Sequence, residues 1–233
     1  MRTRSESQRR PIVPGARICC ALLLIGAAWS GPGAAPSGTG DAAKHALRLQ
    51  ASLESIRGLV ASFTQTLESP GLPRPQTETG TVFLLRPGKM RWEYDEPPGK
   101  LAIADGSRVY LYLPEDRQVV VAPLHLDDAG QGMSLLLRDR IDLSREFSIG
   151  WGTAAQTAGS RPLLLRPRSP GADYDYLLVE SESDGLIRAL TIVDPLGGRV
   201  SYRFDRVRLV GSLPESLFHF EAPPDVKIRE IAP

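Results

Sequence analysis

Chemistry in a protein needs a nucleophile, an acid–base pair, a set of metal ligands or a charge in an unusual place. The three histidines, His45, His125 and His219, are far apart and lack acidic neighbours at ligand spacing. They read as solvated or hydrogen-bonded side chains rather than ligands. Asp127-Asp128 and the Glu180/Glu182 pair read as loop or surface carboxylates. No Gly-x-Ser-x-Gly elbow, no His-Glu-x-x-His pair and no phosphate loop occurs. Cys19 and Cys20 are the two cysteines, and none follows them. The expectation is a protein that is not an enzyme, with no catalytic residue, cofactor or metal. A triad assembled from distant residues is the remaining enzymatic alternative.

The residue that stands out chemically is Arg86, at the head of Arg86-Pro87-Gly88-Lys89-Met90-Arg91-Trp92-Glu93-Tyr94. A guanidinium carries five donors, so it can hold several carbonyls at once and yield to a competitor. The plainer alternative is a surface arginine in a turn at a strand end. Pro87-Gly88 has turn chemistry. After it Met90, Trp92 and Tyr94 alternate with Lys89, Arg91, Glu93 and Asp95, which marks a strand with one hidden face. Phe63, Phe83, Met90, Trp92, Tyr94, Leu135 and Leu136 are the candidate apolar wall. Core packing and cavity lining overlap for such residues.

The whole chain has 233 residues and a formal net charge of +1. A near-neutral charge argues against nucleic acid, which needs a strong basic field. Residues 1–30 read as a signal peptide. Arg2, Arg4, Arg9, Arg10 and Arg17 precede the apolar run Ile18–Ala28, which is short for a membrane span, and Ser30 is the expected cleavage position. An uncleaved anchor is the alternative. Residues 31–40, rich in Gly, Pro, Ala and Ser, read as a disordered leader, and residues 41–233 as one domain.

Ala46, Leu49, Leu53 and Ile56 recur at helical spacing, so Asp41 to Arg57 is expected to be a helix. From Leu59 the period becomes two. Leu59, Ala61, Phe63, Gln65 and Leu67 share one face. Runs at 76–85, 90–94, 101–104, 108–113 and 118–122, broken by turns such as Asp105-Gly106, predict an antiparallel meander. Helical spacing returns within Leu124–Phe147, with a second turn near Asp142–Glu146. Strands are expected again at 147–157, 162–166, 174–180, 186–193 and 199–210. In the last, Val200, Tyr202 and Phe204 share a phase that Val207 and Leu209 do not, which predicts a bulge near Asp205 or Arg206. About ten strands and two helical pieces result. The expected fold is mainly β with α, a single domain, because so long a twisted sheet curls.

Four pieces of this chain resemble the periplasmic outer-membrane lipoprotein carrier family, LolA. They are Ala61-Ser62-Phe63-Thr64-Gln65, the stretch from Gly80 through Arg86-Pro87-Gly88 to Arg91-Trp92 and Tyr94, Asp105-Gly106 with Val109-Tyr110-Leu111-Tyr112, and Phe218-x-Phe220-x-x-Pro223-Pro224. The likeness runs from Leu53 to Val226. It implies an unclosed, strongly curved antiparallel β-barrel with helices as a lid. It also implies a hydrophobic cavity for lipoprotein acyl chains, with Phe63, Met90 and Trp92 as wall or core and Arg86 holding the lid shut. The implied setting is a periplasmic monomer, loaded by an inner-membrane ATP-driven complex and unloaded by an outer-membrane receptor. The arginine-rich segment Leu124–Phe147 and the short tail after Val226 depart from the pattern. A lipid-sensing regulatory domain, and a carrier of another exported lipid or glycolipid, are the alternatives.

Overall fold

Alternation from Gly58 onward builds one long sheet, and the single helical stripe before it supplies a cover. The protein was analysed as a computed structural model that describes residues 39–126, 134–153 and 160–231. The expected signal peptide, most of the leader, Asp127-Asp128 and the end of the strand expected at 147–157 lie outside the described residues. Helix α1 spans Thr39–Ser55, beginning two residues before the expected helix start at Asp41. Strands β1 (Gly58–Glu68), β2 (Gln76–Leu85), β3 (Lys89–Glu96), β4 (Leu101–Asp105), β5 (Arg108–Leu113) and β6 (Gln118–Pro123) follow. Two short helices come next, α2 (Ser134–Leu137) and α3 (Leu143–Glu146). Then β7 (Phe147–Trp151), β8 (Leu163–Pro167), β9 (Tyr176–Ser181), β10 (Ile187–Val193) and β11 (Arg199–Val210) run on. A 3-10 turn at Glu215–Phe218 and β12 (Lys227–Glu230) close the described chain.

The strands form one unclosed, curled sheet in the order β12-β6-β5-β4-β3-β2-β1-β11-β10-β9-β8-β7. Neighbours are antiparallel except β12, which lies parallel to β6. Twelve strands stand among the described residues, against about ten expected. The one that alternation does not announce is β12, a short polar segment exposed along its whole length.

Register explains which side chains share a face. Ala61 pairs with Val82, Val82 with Trp92, and Phe63 with Phe204. These residues therefore point to the same, concave side. Between β1 and β11 the pairs step from Val60–Arg208 to Ser62–Asp205, leaving one extra residue on β11. Arg206 adopts a left-handed φ of 53° there. This is the bulge that the phase slip predicts, and it lets Phe204 and Val207 both line the same cavity.

The stripe of α1, extended by Ala42 to Ala42, Ala46, Leu49 and Leu53, is buried in the same core as α2 and the concave face. The opposite face is also covered. The Glu215–Phe218 turn packs on β3 and β4, Arg91 donates to the Leu217 carbonyl at 3.1 Å, and Phe220 stacks on Tyr110 with centroids 5.2 Å apart. A sheet buried on both faces reads as more continuously apolar than simple alternation suggests.

Two positions in this frame carry expectations. Gly80 lies on β2 opposite Tyr94 of β3, next to a register shift. A Cβ there would stand 2.0 Å from the Glu93 carbonyl oxygen and 2.8 Å from the Phe63 ring. Gly80→Ala is expected to destabilise by about 1–3 kcal/mol, as overpacking does, read as a lower urea midpoint.

Asp105 ends β4. Its carboxylate accepts from the Ser107 and Arg108 backbone N–H groups and from the Ser107 and Tyr110 hydroxyls. Burial alone would raise its pKa, but these four hydrogen bonds outweigh burial and hold it below the usual value. A depressed carboxylate contributes stability above its unfolded pKa, about 3.9, and loses it as pH falls through the folded value. Asp105→Asn is therefore expected to be less stable at neutral pH. The gap to the unaltered protein should narrow below about pH 4, as measured by urea midpoints across that range.

Candidate functional site: a latched apolar cavity

Arg86 follows β2 directly, at the turn that Pro87-Gly88 makes. Gly88 has a φ of 73°, which favours glycine, and its N–H donates to the Leu137 carbonyl at 3.0 Å. Two residues earlier the Arg86 side chain turns inward. Its Nε donates to the Leu136 carbonyl at 2.9 Å, and its Nη1 donates to the Leu53 carbonyl. Leu53 lies in the last turn of α1, where its carbonyl also accepts from the Ile56 N–H at 3.3 Å, and Leu136 lies in α2; carbonyls at helix ends lack the usual intrahelical partner. A cation at a helix C-terminus is also favoured by the helix dipole. One side chain of the sheet thus ties two separate helical pieces to the β2–β3 turn.

The tie is made in a dry place. Arg86 is only 4% exposed. Burial pushes its pKa down to about 10, against the opposing pull of Asp139 and Glu54. It therefore keeps its charge at neutral pH, and the two carbonyls satisfy a cation that would be costly to bury alone.

Beside Arg86 lies an apolar cavity. Leu53 and Ile56 from the α1 end and Leu136 from α2 roof it. Leu59, Ala61, Val82, Leu84, Trp92, Phe204 and Val207 form its sheet wall. Arg86 is the one charged residue in this lining. The free volume is about 30 Å³, room for no more than a few waters. Deeper in, Trp92 meets Phe63 edge-on at 4.6 Å, Tyr202 at 5.2 Å and Phe204 at 6.1 Å between centroids.

The roof is stitched internally as well. Gln50 and Glu54 of α1 accept from the backbone N–H groups of Leu143 and Ile141, at 3.1 and 3.3 Å. Arg138 grips Glu146 with two hydrogen bonds, at 3.0 and 2.5 Å. The Asp142 side chain caps α3 by accepting from the Arg145 N–H at 3.0 Å. So α1 and residues 138–146 are held to each other by polar contacts that do not involve the sheet.

The expected site residues separate into groups. Arg86, Trp92 and Leu136 line the cavity. Phe63 packs on Trp92 just beyond it, and Met90 and Leu135 are buried in the surrounding core. Tyr94 lies further along the same face. Its hydroxyl donates to Gln65 Oε1 at 3.0 Å, Lys100 sits 4.2 Å over its ring, and burial raises its pKa.

Phe83 is a correction. It is half-buried and alternates with Val82 and Leu84, so it points away from the cavity, to the face shared with Val60 and Arg91. Size and apolarity suggested it, but its parity on β2 puts it on the face that the curl of the sheet turns away from the cavity. Leu53, Leu59, Ala61, Val82, Leu84 and Phe204 belong to the lining without having been singled out. Leu59 and Ala61 share parity with Phe63, which is the signal that would have found them. His45 is hydrogen-bonded to the Ser181 hydroxyl at 2.9 Å.

The family model described as outer membrane lipoprotein carrier protein LolA matches residues 54–221. An outer-membrane lipoprotein carrier protein of Chromohalobacter salexigens is 32% identical over 201 residues, 86% of this chain and 92% of that one. One from Pseudomonas syringae pv. tomato is 31% identical over 180 residues, 77% and 85% of the two chains. A LolA superfamily protein from Nitrosomonas europaea, of solved structure, aligns at 10% identity with a TM-score of 0.40, over 75% of this chain and 97% of that one. With the family model covering most of its length, this chain belongs to the LolA family of outer membrane lipoprotein carrier proteins.

Proposed function

We propose that this protein carries lipoproteins by hiding their acyl chains in the cavity roofed by α1 and α2. The observation that carries this is the buried Arg86, which holds two helical pieces over an apolar cavity through backbone carbonyls alone. Such a latch breaks without cost to any side chain of the roof. Each methylene moved out of water contributes about 0.8 kcal/mol, so acyl chains need cover to cross an aqueous space. A cavity that closes on itself when empty gives the cargo a competitor and allows release.

The protein acts by binding, without turnover, as a monomer in the periplasm after a signal peptide at residues 1–30 is removed. Cargo arrives from an inner-membrane ATP-driven complex and leaves to an outer-membrane receptor. The test is displacement of an apolar fluorescent probe. A triacylated lipopeptide is expected to displace the probe and its unacylated peptide to leave it bound. Equal displacement by both, or by neither, would sink the carrier reading.

A further inference from the structure

Resting on the carrier reading, we propose that His45 is a second, pH-sensitive pin of the α1 roof. Neutral, it holds the N-terminal half of the helix on β7 and β9. Protonated, it lets that half go and biases the cavity towards its open, loading form. Arg86 does not share this property. Its pKa of about 10 keeps it charged at acid and neutral pH, so the latch at Leu53 stays constant.

The two pins lie on one helix. Leu53 follows His45 by eight residues, roughly 12 Å along the axis. His45 Nε2 stands 2.9 Å from the Ser181 hydroxyl on β9, and its ring centroid lies 5.4 Å from that of Trp151 on β7. Between the pins the backbone of α1 touches the β9–β10 turn. A Cβ at Gly185 would stand 2.6 Å from the Arg48 carbonyl oxygen. That contact does not change with pH. Among the described residues that seat α1, only His45 has a side chain whose ordinary titration falls between pH 5 and 8. The end of the same helix supplies Leu53 and Ile56 to the cavity roof, so loosening at His45 leaves that roof to Arg86.

The surroundings oppose a charge on the ring. Burial, and then the Arg48 guanidinium three residues on, hold the His45 pKa below its ordinary value. The Trp151 ring already carries the Arg161 guanidinium, 4.8 Å from its centroid, and so offers less to a second cation. Trp151 Nε1 is buried without a hydrogen-bond partner, which marks the seam as dry. The carboxylates of the neighbouring elements are turned away or engaged. Glu180, next to Ser181 on β9, points to the other face of the sheet. Glu182 pairs with Arg188 at 2.7 Å, and Asp184 accepts from the Leu186 N–H at 2.9 Å. On α3, Glu146 is held by Arg138, and Arg145 is exposed. On β8, Arg166 pairs with Asp175. Asp41, one turn before His45, is exposed and forms no ion pair among the described residues, and Lys44 adds a positive charge. A ring that is harder to protonate when docked favours docking in its neutral form. The contribution of the pin is complete above about pH 6.5 and is lost as pH falls from there towards the lower docked value.

The test compares the unaltered protein with His45→Gln, whose amide can bond Ser181 but cannot titrate. Two quantities are measured at about pH 7.5 and about pH 5, on either side of the histidine range. One is the protection of α1 amides from hydrogen exchange, corrected for the intrinsic pH dependence of exchange and set against β1 and β11. The other is affinity for a tripalmitoylated lipopeptide. At the lower pH, α1 protection is expected to fall roughly threefold to tenfold, the weight of one hydrogen bond, while β1 and β11 hold. Lipopeptide affinity is expected to rise by the same factor. His45→Gln should keep its neutral-pH values at both pH values, although His125 and His219 still titrate in it. Ser181→Ala, which keeps the ring and removes its partner, should lower α1 protection already at neutral pH. An equal acid response in His45→Gln would overturn the pin, as would no response in the unaltered protein or no effect of Ser181→Ala. Protection that falls while lipopeptide affinity stays level would also overturn it. No lipopeptide binding at either pH would overturn the carrier reading, while the exchange difference between the two proteins would still uphold or overturn the pin.

Discussion

Arg86→Leu is expected to leave the protein folded but unlatched. The substitution removes both donors that hold the Leu53 and Leu136 carbonyls, while the Gly88–Leu137 hydrogen bond stays. Hydrogen bonds from a charged donor contribute about 1.5–3 kcal/mol each, and relief of the buried charge offsets part of the loss. A net shift of about 2–4 kcal/mol towards the open roof follows, roughly 30-fold to several hundredfold in the closed–open balance. The readout is amide exchange at Arg138, whose N–H bonds the Ser134 carbonyl within α2. It should quicken by that factor while amides of the paired β1 and β11 do not change. Affinity for an acylated ligand should rise in step, because the binding-competent state is no longer a minor one, and release should slow. Arg86→Lys should fall between the two, since one ammonium cannot span both carbonyls as the fork does. Unchanged exchange at Arg138 in the leucine variant would remove the latch from the account.

The second large effect is on stability. Trp92→Ala is expected to cost about 3–5 kcal/mol, the range for truncating a buried large aromatic. Trp92 is 3% exposed and touches three rings from β1 and β11, so its loss opens a void that rigid strands close only in part. The urea midpoint measured by circular dichroism reports the loss. Because Trp92 also lines the cavity, the void adds to the ligand space. A small apolar ligand should therefore raise the midpoint of Trp92→Ala more than that of the unaltered protein. Trp92→Phe should recover most of the stability and little of this response. A loss below about 1 kcal/mol would mean that the ring is not a packed wall.

The two substitutions separate the tasks of the same small region. In the proposed carrier, Arg86 acts on the balance between closed and open roof, and Trp92 on the stability of the sheet beneath it. That division has a structural origin. The polar contacts of Gln50, Glu54 and Arg138 bind the roof to itself, whereas Arg86 and Gly88 tie it to the β2–β3 turn and the His45–Ser181 hydrogen bond ties α1 to β9.

Local pattern was enough to place most of this molecule. Period-two alternation specified the strands, because adjacent side chains of an extended chain must point to opposite faces. The slip of phase between Phe204 and Val207 was enough to locate the bulge, since an inserted residue is the simplest way to keep both inside. The turn at Arg86 and the helix before Gly58 were legible for the same local reasons, and the four matched pieces carried the family. Parity, however, names two faces without saying which is concave. Both faces of this sheet are covered, one by α1 and α2 and the other by the Glu215–Phe218 turn with Phe220, so hydrophobicity alone could not reject Phe83. Only the curl of the sheet did that. Strand β12 was illegible because its short, exposed segment carries no alternation of burial. It exists through parallel pairing with β6, a contact about a hundred residues away in the chain. The partners of Arg86 were hidden for a related reason. Backbone carbonyls carry no residue identity, so nothing in the types at Leu53 and Leu136 marks them as acceptors, and only the folded chain brings them to one guanidinium.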